Sequence, residues 1–451
     1  MAAAACGSGA VSAQGDAIFA LASGAGRAAV AVVRVSGRDT AGVVAALAGR
    51  LPRPREASLR RLRHPGTGEV LDRALVLWFP RPRSYTGEDA AELHLHGGPA
   101  VVAGVADALV AAGVRPAEPG EFTRRAFLHG RMDLTAAEGV ADLIAAETAA
   151  QRRQALRQAG GALAALTEGW TARLTRLLAR QEAFIEFEDE DLPPDLDAAV
   201  VVEAAALRAE IGRHLADGGR GERLREGLLA AILGAPNAGK SSLLNALAGR
   251  EAAIVSAHAG TTRDVVEARI ELAGVPVTLA DTAGLHAEVS DEIETEGMRR
   301  ARRRAEEADL VLAVFAADRA PDPETLALVR PGVVVVANKT DLAPAPAALG
   351  GEAPVAVSAR TGAGLEALRA RLVEETTARA GLAAEAGLTR PRHRAALAEA
   401  EEWLDELDSA VLPELRAEAL RAALRAVGRV TGRVGVEAVL DLVFGEFCIG
   451  K

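Results

Sequence analysis

The chain has 451 residues, a length that at about 150 per domain accommodates roughly three domains. With 49% apolar and 25% charged residues it is a core-burying globular chain and not a disordered one. Its formal charge of −10 excludes a uniformly basic coat for nucleic acid but leaves room for a local basic stripe, and at 3% aromatic it offers few base-stacking platforms.

Residues 2–13 are small and apolar, but no basic residue precedes Arg27. The n-region of a signal peptide is therefore missing, and residues 1–14 read as a disordered N-terminus. No run approaches the ~18 apolar residues of a membrane span. Cys6 and Cys448 lie at opposite ends and make no disulfide framework, which suits a reducing cytoplasm.

From Ala17 to about Leu128, strand-like runs at Ala29–Val35, Ala74–Phe79 and Ala91–Leu95 alternate with helical stretches such as Val101–Ala112, predicting an α/β domain over 15–130. Over 131–225 the strand signal vanishes: Leu174, Leu177, Leu178, Gln181, Phe184 and Ile185 recur at helical spacing until Asp189–Pro194 supplies a stop. The continuous apolar run Leu228–Leu233 opens a zone over 226–378 with buried-strand candidates at Val275–Ala280, Leu310–Phe315, Val333–Ala337 and Val355–Val357, the pattern of a doubly wound, mostly parallel sheet. Residues 379–451 return to Ala-, Leu-, Glu- and Arg-rich helices. The expected fold class is multidomain α/β plus α, with the second sheet domain inserted between two segments of one helical domain.

Gly234-Ala235-Pro236-Asn237-Ala238-Gly239-Lys240-Ser241 fits a phosphate-binding loop and stands after a strand and before the helical stretch beginning at Ser242. Backbone N–H groups cradle phosphates there, Lys240 reaches the β- and γ-phosphates, and Ser241 ligates Mg²⁺. The basic residues sharpen the match: of 52 only Lys240, Lys339 and Lys451 are Lys, and the other 49 are Arg. A chain so biased uses Lys where a compact point charge is needed. Asn338-Lys339-Thr340-Asp341 follows another strand. The Asp341 carboxylate can accept from N1–H and the 2-amino group of guanine, a pair adenine does not offer. Ser358-Ala359-Arg360 matches a third guanine-contacting loop. Asp281-Thr282-Ala283-Gly284 supplies a carboxylate behind Mg²⁺ and a Gly amide facing the γ-phosphate, and Thr262 in Gly260-Thr261-Thr262 is a second Mg²⁺ ligand. The order of these loops is that of a GTPase. Leu285 follows Gly284 where Ras-type enzymes carry a water-orienting Gln, which leaves Arg263, His286, Glu288, Asp291, Glu292 and Glu294 as candidates for that task.

Further residues carry a resemblance: Ser84-Tyr85-Thr86-Gly87-Glu88-Asp89, His96-Gly97-Gly98-Pro99, the run Pro119–Leu128, Ala259-Gly260-Thr261-Thr262-Arg263-Asp264, and the terminal Phe447-Cys448-Ile449-Gly450-Lys451. Through them the chain, over residues 27–451, resembles the tRNA modification GTPase MnmE (TrmE) family. The resemblance implies a dimerising N-terminal domain that binds 5-formyl- or 5,10-methylene-tetrahydrofolate, a helical domain in two segments and an inserted GTPase domain. It implies a homodimer that, with the FAD-dependent partner MnmG, installs a carboxymethylaminomethyl-type group at C5 of the wobble uridine of certain tRNAs. By matching motif it implies folate contacts from Arg34, Glu92, Arg131 and Lys451, Arg131 standing where the family usually has Lys. It further implies a K⁺ site from the Asn237 side chain and backbone oxygens of the loop Ser256, Ala257, His258, Ala259, Gly260, Thr261, and a water-orienting Glu294. Cys448 reads equally as a nucleophile for C6 of uracil and as a small buried hydrophobe between Phe447 and Ile449. The competing reading is a ribosome-assembly GTPase without modifying activity, which would carry an RNA-binding module such as a KH domain in place of the 27–131 region.

Overall fold

The computed structural model describes residues 16–186, 196–250, 267–281, 307–380, 387–410, 412–434, 440, 443–445, 447 and 449–450. The chain forms two compact units, one from residues 1–141 and 432–451, the other from 142–431.

The first unit is built on a six-stranded sheet in the order β3-β4-β5-β2-β1-β6, from β1 (Ile18–Leu21), β2 (Ala28–Ser36), β3 (Ser58–Arg63), β4 (Val70–Phe79), β5 (Ala90–Gly97) and β6 (Arg115–Pro116). Its pairs are antiparallel except β1 with β6. Side chains alternate between faces with period 2, so Val33, Val35, Val76, Trp78, Leu93 and Leu95 share one buried face. The helices Thr40–Ala48 and Pro99–Ala111 cover it through Val44, Leu47, Val105 and Leu109. The expected strands 29–35, 74–79 and 91–95 lie inside β2, β4 and β5. The second helix starts two residues before its expected position because Pro99 occupies its first turn, where a missing N–H costs nothing.

The run Pro119–Leu128 gains its meaning from the chain's far end. Pro119 pairs with Ile449, and a Cβ at Gly120 (φ +66°) would stand 2.3 Å from the Phe444 carbonyl oxygen, so no other residue fits there. Phe122 is fully buried beside Ile18, a burial that contributes about 1.5–3 kcal/mol. Leu440, Val443, Phe444 and Phe447 pack with Leu134 and Phe127, which is why the final residues cluster with this unit and not with the helices that precede them. Arg115 and Arg125 bind Asp16 and Glu121, and Arg125 also reaches Glu88. Burial alone would raise the Glu121 carboxyl, but hydrogen bonds from Arg115, the Glu118 backbone and Arg125 hold it below the ordinary range.

The second unit holds helices and a second sheet. The helices Ala162–Glu186, Leu196–Leu215, Pro391–Ser409 and Pro413–Thr431 bury Trp170, Leu174, Leu177, Leu207, Leu404 and Leu420 among one another. The shorter helix Ala149–Ala159 opens on a capping box in which the Thr148 hydroxyl accepts from Gln151 N–H and the Gln151 side chain accepts from Thr148 N–H. The sheet contains β7 (Leu228–Leu233), β8 (Glu267–Leu272), β9 (Val275–Asp281), β10 (Leu310–Ala316), β11 (Val333–Asn338) and β12 (Val355–Ala356) in the order β12-β11-β10-β7-β9-β8. All neighbours are parallel except β8, an antiparallel edge. The central strands are buried on both faces and hence continuously apolar. Among the described residues no helix is long and apolar enough to cross a membrane.

Candidate functional site

The carboxyl ends of β7, β9, β11 and β12 converge, the place where open α/β sheets bind ligands. After β7 the loop 234–239 turns into the helix Lys240–Arg250. Gly239 (φ +89°) lies so close to Asn338 that a Cβ would stand 2.3 Å from its Nδ2. Asn237 takes φ +63°, a conformation its short polar side chain tolerates, and that side chain is exposed. Lys240 is only 5% exposed and its Nζ donates to the carbonyls of Gly234 (2.8 Å) and Ala235 (3.0 Å). Burial pushes this amine below the ordinary lysine range, against the pull of Asp281 and Asp322. The Ser241 hydroxyl donates to Asp281 Oδ2 at 2.5 Å, so the hydroxyl expected on Mg²⁺ and the carboxylate expected behind it stand side by side.

Asn338 is 1% exposed and ties three loops together. Its Nδ2 donates to Ala238 O (3.0 Å), and its Oδ1 accepts from Ala359 N–H (3.1 Å). Losing one of these buried bonds costs about 1–3 kcal/mol, so the Asn of this motif braces the site before any ligand arrives. Lys339 lies at φ +63° with its Nζ 3.7 Å from Asp318. Asp341 accepts from Ser358 Oγ (2.6 Å) on one oxygen and from the Arg360 guanidinium (2.6 Å) on the other. The Ser358 bond first, and then Arg360, hold this carboxyl below the ordinary range. Ser242 follows in the first turn of the helix, exposed. Ser256, Ala257, His258, Ala259, Gly260, Thr261, Thr262, Thr282, Ala283, Gly284 and Glu294 lie outside the described residues.

The first unit carries a separate cavity of ≈ 330 Å³ lined by Arg34, Arg55, Phe79, Arg83, Ser84, Tyr85, Thr86 and Glu92, with Ala90 and Ala91. Arg34 and Glu92 face each other directly across the β2–β5 register. Arg34 Nε and Nη2 both donate to Glu92 Oε1 (3.2 and 2.9 Å), which leaves Oε2 with a single long contact to His94 Nε2 at 3.4 Å. The guanidinium also lies 5.1 Å from the Tyr85 ring centre and 5.8 Å from that of Phe122. Arg131 does not line the cavity; its stem lies against Gly87, in the loop that does. Cys448 and Lys451 lie outside the described residues. Arg55 and Arg83, which the sequence did not single out, complete the lining.

The family model described as MnmE helical domain matches residues 134–448, and that described as GTP-binding protein TrmE N-terminus matches residues 17–131. A protein of Gluconacetobacter diazotrophicus described as tRNA modification GTPase MnmE is 59% identical over 437 residues, 96% of this chain and 98% of that protein. Proteins of the same description from Granulibacter bethesdensis and Paramagnetospirillum magneticum are 56% and 54% identical, each over 97% of this chain and 99% and 100% of their own lengths. A GTPase sheet with Lys240, Ser241, Asp281, Asn338 and Asp341 at its strand ends, and likeness along nearly the whole length, give one conclusion: the chain belongs to the tRNA modification GTPase MnmE family.

Proposed function

We propose that this family member is a K⁺-stimulated, cytoplasmic GTPase that works as a homodimer with an FAD-dependent partner of the MnmG type. The pair adds a carboxymethylaminomethyl-type group at C5 of the wobble uridine of certain tRNAs, with a tetrahydrofolate as one-carbon donor. The observation that carries the donor assignment is the Arg34–Glu92 pair inside the ≈ 330 Å³ cavity. Arg34 holds Oε1 of Glu92, so Oε2 is available to accept from the N–H edge of a pterin, in a cavity that Tyr85 and Phe79 also line. The family resemblance adds Lys451 to this site; Arg131, carried over with it, stands outside the lining, against Gly87 of the neighbouring loop.

In the GTPase sheet, Lys240 neutralises phosphate charge, and Ser241 with Thr262 and the nearby Asp281 would hold Mg²⁺. Asp341 and the 358–360 loop read the guanine. Asn237 supports the K⁺ reading because it stands exposed in the phosphate loop, in a left-handed backbone conformation. The remaining oxygens of that site would come from the 256–261 backbone, and Glu294 would orient the attacking water. Such a cation supplies the transition-state charge that an arginine finger supplies elsewhere.

Two measurements test these assignments. Equilibrium binding of 5-formyl-tetrahydrofolate to the full chain should weaken about 10- to 100-fold in Glu92→Gln, the scale of a charge-assisted hydrogen bond; unchanged affinity would remove Glu92 from the site. GTP hydrolysis at matched ionic strength should run about 10- to 100-fold faster in K⁺ than in Na⁺, with the advantage lost in Asn237→Ala. Equal rates in the two salts would end the K⁺ assignment.

A further inference from the structure

The cavity of the first unit has a basic mouth that Arg34 and Glu92 do not account for. Both of those are only 22% exposed at the side chain, whereas Arg55 and Arg83 are exposed at the rim. Arg55 stands at φ +64°, a backbone conformation that side chains other than those of Gly, Asn or Asp rarely adopt. A strained non-glycine residue that persists beside a cavity is a pointer to function. Three contacts keep it there. Its N–H donates to Trp78 O (2.8 Å), its guanidinium lies 5.7 Å from the Phe79 ring centre, and its Nη2 donates to the Arg83 carbonyl. Among the described residues neither Arg55 nor Arg83 has a carboxylate partner. An arginine has five N–H donors, so the stack and the one carbonyl bond orient Arg55 while leaving most of its fork open.

A space of ≈ 330 Å³ is at the small end for a ligand cavity and suits the bicyclic head of a reduced folate, not the whole molecule. With the head against Glu92, the benzoyl-glutamate portion must leave through the mouth, past the two guanidiniums. Each γ-linked glutamate added to that tail brings one more carboxylate, the group whose geometry an arginine fork matches.

We propose that Arg55 and Arg83 bind the carboxylates of the γ-glutamyl tail and make this chain selective for polyglutamylated reduced folates. The proposal rests on the folate reading above and names the form of that ligand. Its test is equilibrium binding by the full chain of 5-formyl-tetrahydropteroate, which has no glutamate, and of the mono- and triglutamyl forms of 5-formyl-tetrahydrofolate. Wild type should bind the triglutamyl form about tenfold more tightly than the monoglutamyl form, the equivalent of one charge-assisted contact, with the gain shrinking as salt rises. Arg55→Gln combined with Arg83→Gln should erase the gain but leave affinity for the tail-less compound at the wild-type value. Arg55→Gly, which takes φ +64° without strain, should lose most of the gain in a chain at least as heat-stable as wild type. Equal wild-type affinity for the mono- and triglutamyl forms overturns the tail assignment alone. So does a double variant that weakens the tail-less compound as much as the triglutamyl one. Binding of none of the three overturns the folate reading, and this proposal with it.

Discussion

Lys240→Met should lower kcat/KM for GTP by about 10³-fold, the upper range for removing one preorganised charge from a transition state, and yet should not lower the melting temperature of the nucleotide-free chain. Both halves follow from one observation. The Lys240 ammonium is 5% exposed, and burial depresses its pKa while two loop carbonyls at 2.8 and 3.0 Å hold it in place. A lysine whose folded pKa lies below its unfolded value binds its proton less well when folded, so its charge opposes folding at every pH below the depressed value. Methionine keeps the length of the stem and removes that burden. Nucleotide phosphates reverse the sign by offering the buried cation an opposite charge, so the function is bought with apo-state stability. Steady-state hydrolysis and thermal denaturation of the same preparation test the pair. A rate within threefold of wild type would take Lys240 off the phosphates, and a large drop in melting temperature would make it a structural residue.

The parts of this molecule that were legible in its sequence are those specified by local pattern. Val333–Ala337 and Leu310–Phe315 are continuous apolar runs, and they are the central strands β11 and β10, buried on both faces. β3, Ser-Leu-Arg-Arg-Leu-Arg, escaped because an edge strand protects itself with charge and so loses the apolar signature of a strand. β8 escaped for the same reason, as Glu267, Arg269 and Glu271 alternate with its buried Ile270 and Leu272 on an antiparallel edge.

The sites divide along the same line. The phosphate loop is legible because its Gly, Lys and Ser are adjacent in the chain. That Gly239 must be Gly because Asn338 packs on it, 99 residues away, is visible only in three dimensions. Likewise, that Arg34 and Glu92 are cross-strand neighbours joined by two hydrogen bonds is visible only in the β2–β5 register. Arg55 left no mark on the sequence at all. Its positive φ and its seat over Phe79 are products of tertiary structure, and one arginine among 49 carries no local signal.

Asp341→Asn should exchange the base preference of the enzyme, with GTP binding weakened by about 10⁴-fold and xanthosine triphosphate becoming the better substrate. In the guanine reading proposed above, N1–H and the 2-amino group would donate to the two oxygens of Asp341. A carboxamide keeps one acceptor but turns the other position into a donor, which then faces the guanine amino group. Xanthine carries a carbonyl at that position, so the same carboxamide now pairs with it. The fold should tolerate the exchange. Ser358 Oγ, which donates to Asp341 Oδ1 at 2.6 Å, can donate to the asparagine oxygen in the same place. Arg360 loses its ion pair, but its side chain is 74% exposed, and a pair of that kind contributes little to stability. The guanidinium stands on one of the two Asp341 oxygens at 2.6 Å, so a guanine bound as proposed would displace a solvated side chain at small cost. Hydrolysis of GTP, xanthosine triphosphate and ATP by wild type and variant decides the matter. Retained GTP preference in the variant, or no gain for xanthosine triphosphate, would mean that Asp341 serves only to anchor Ser358 and Arg360 and that another group reads the base.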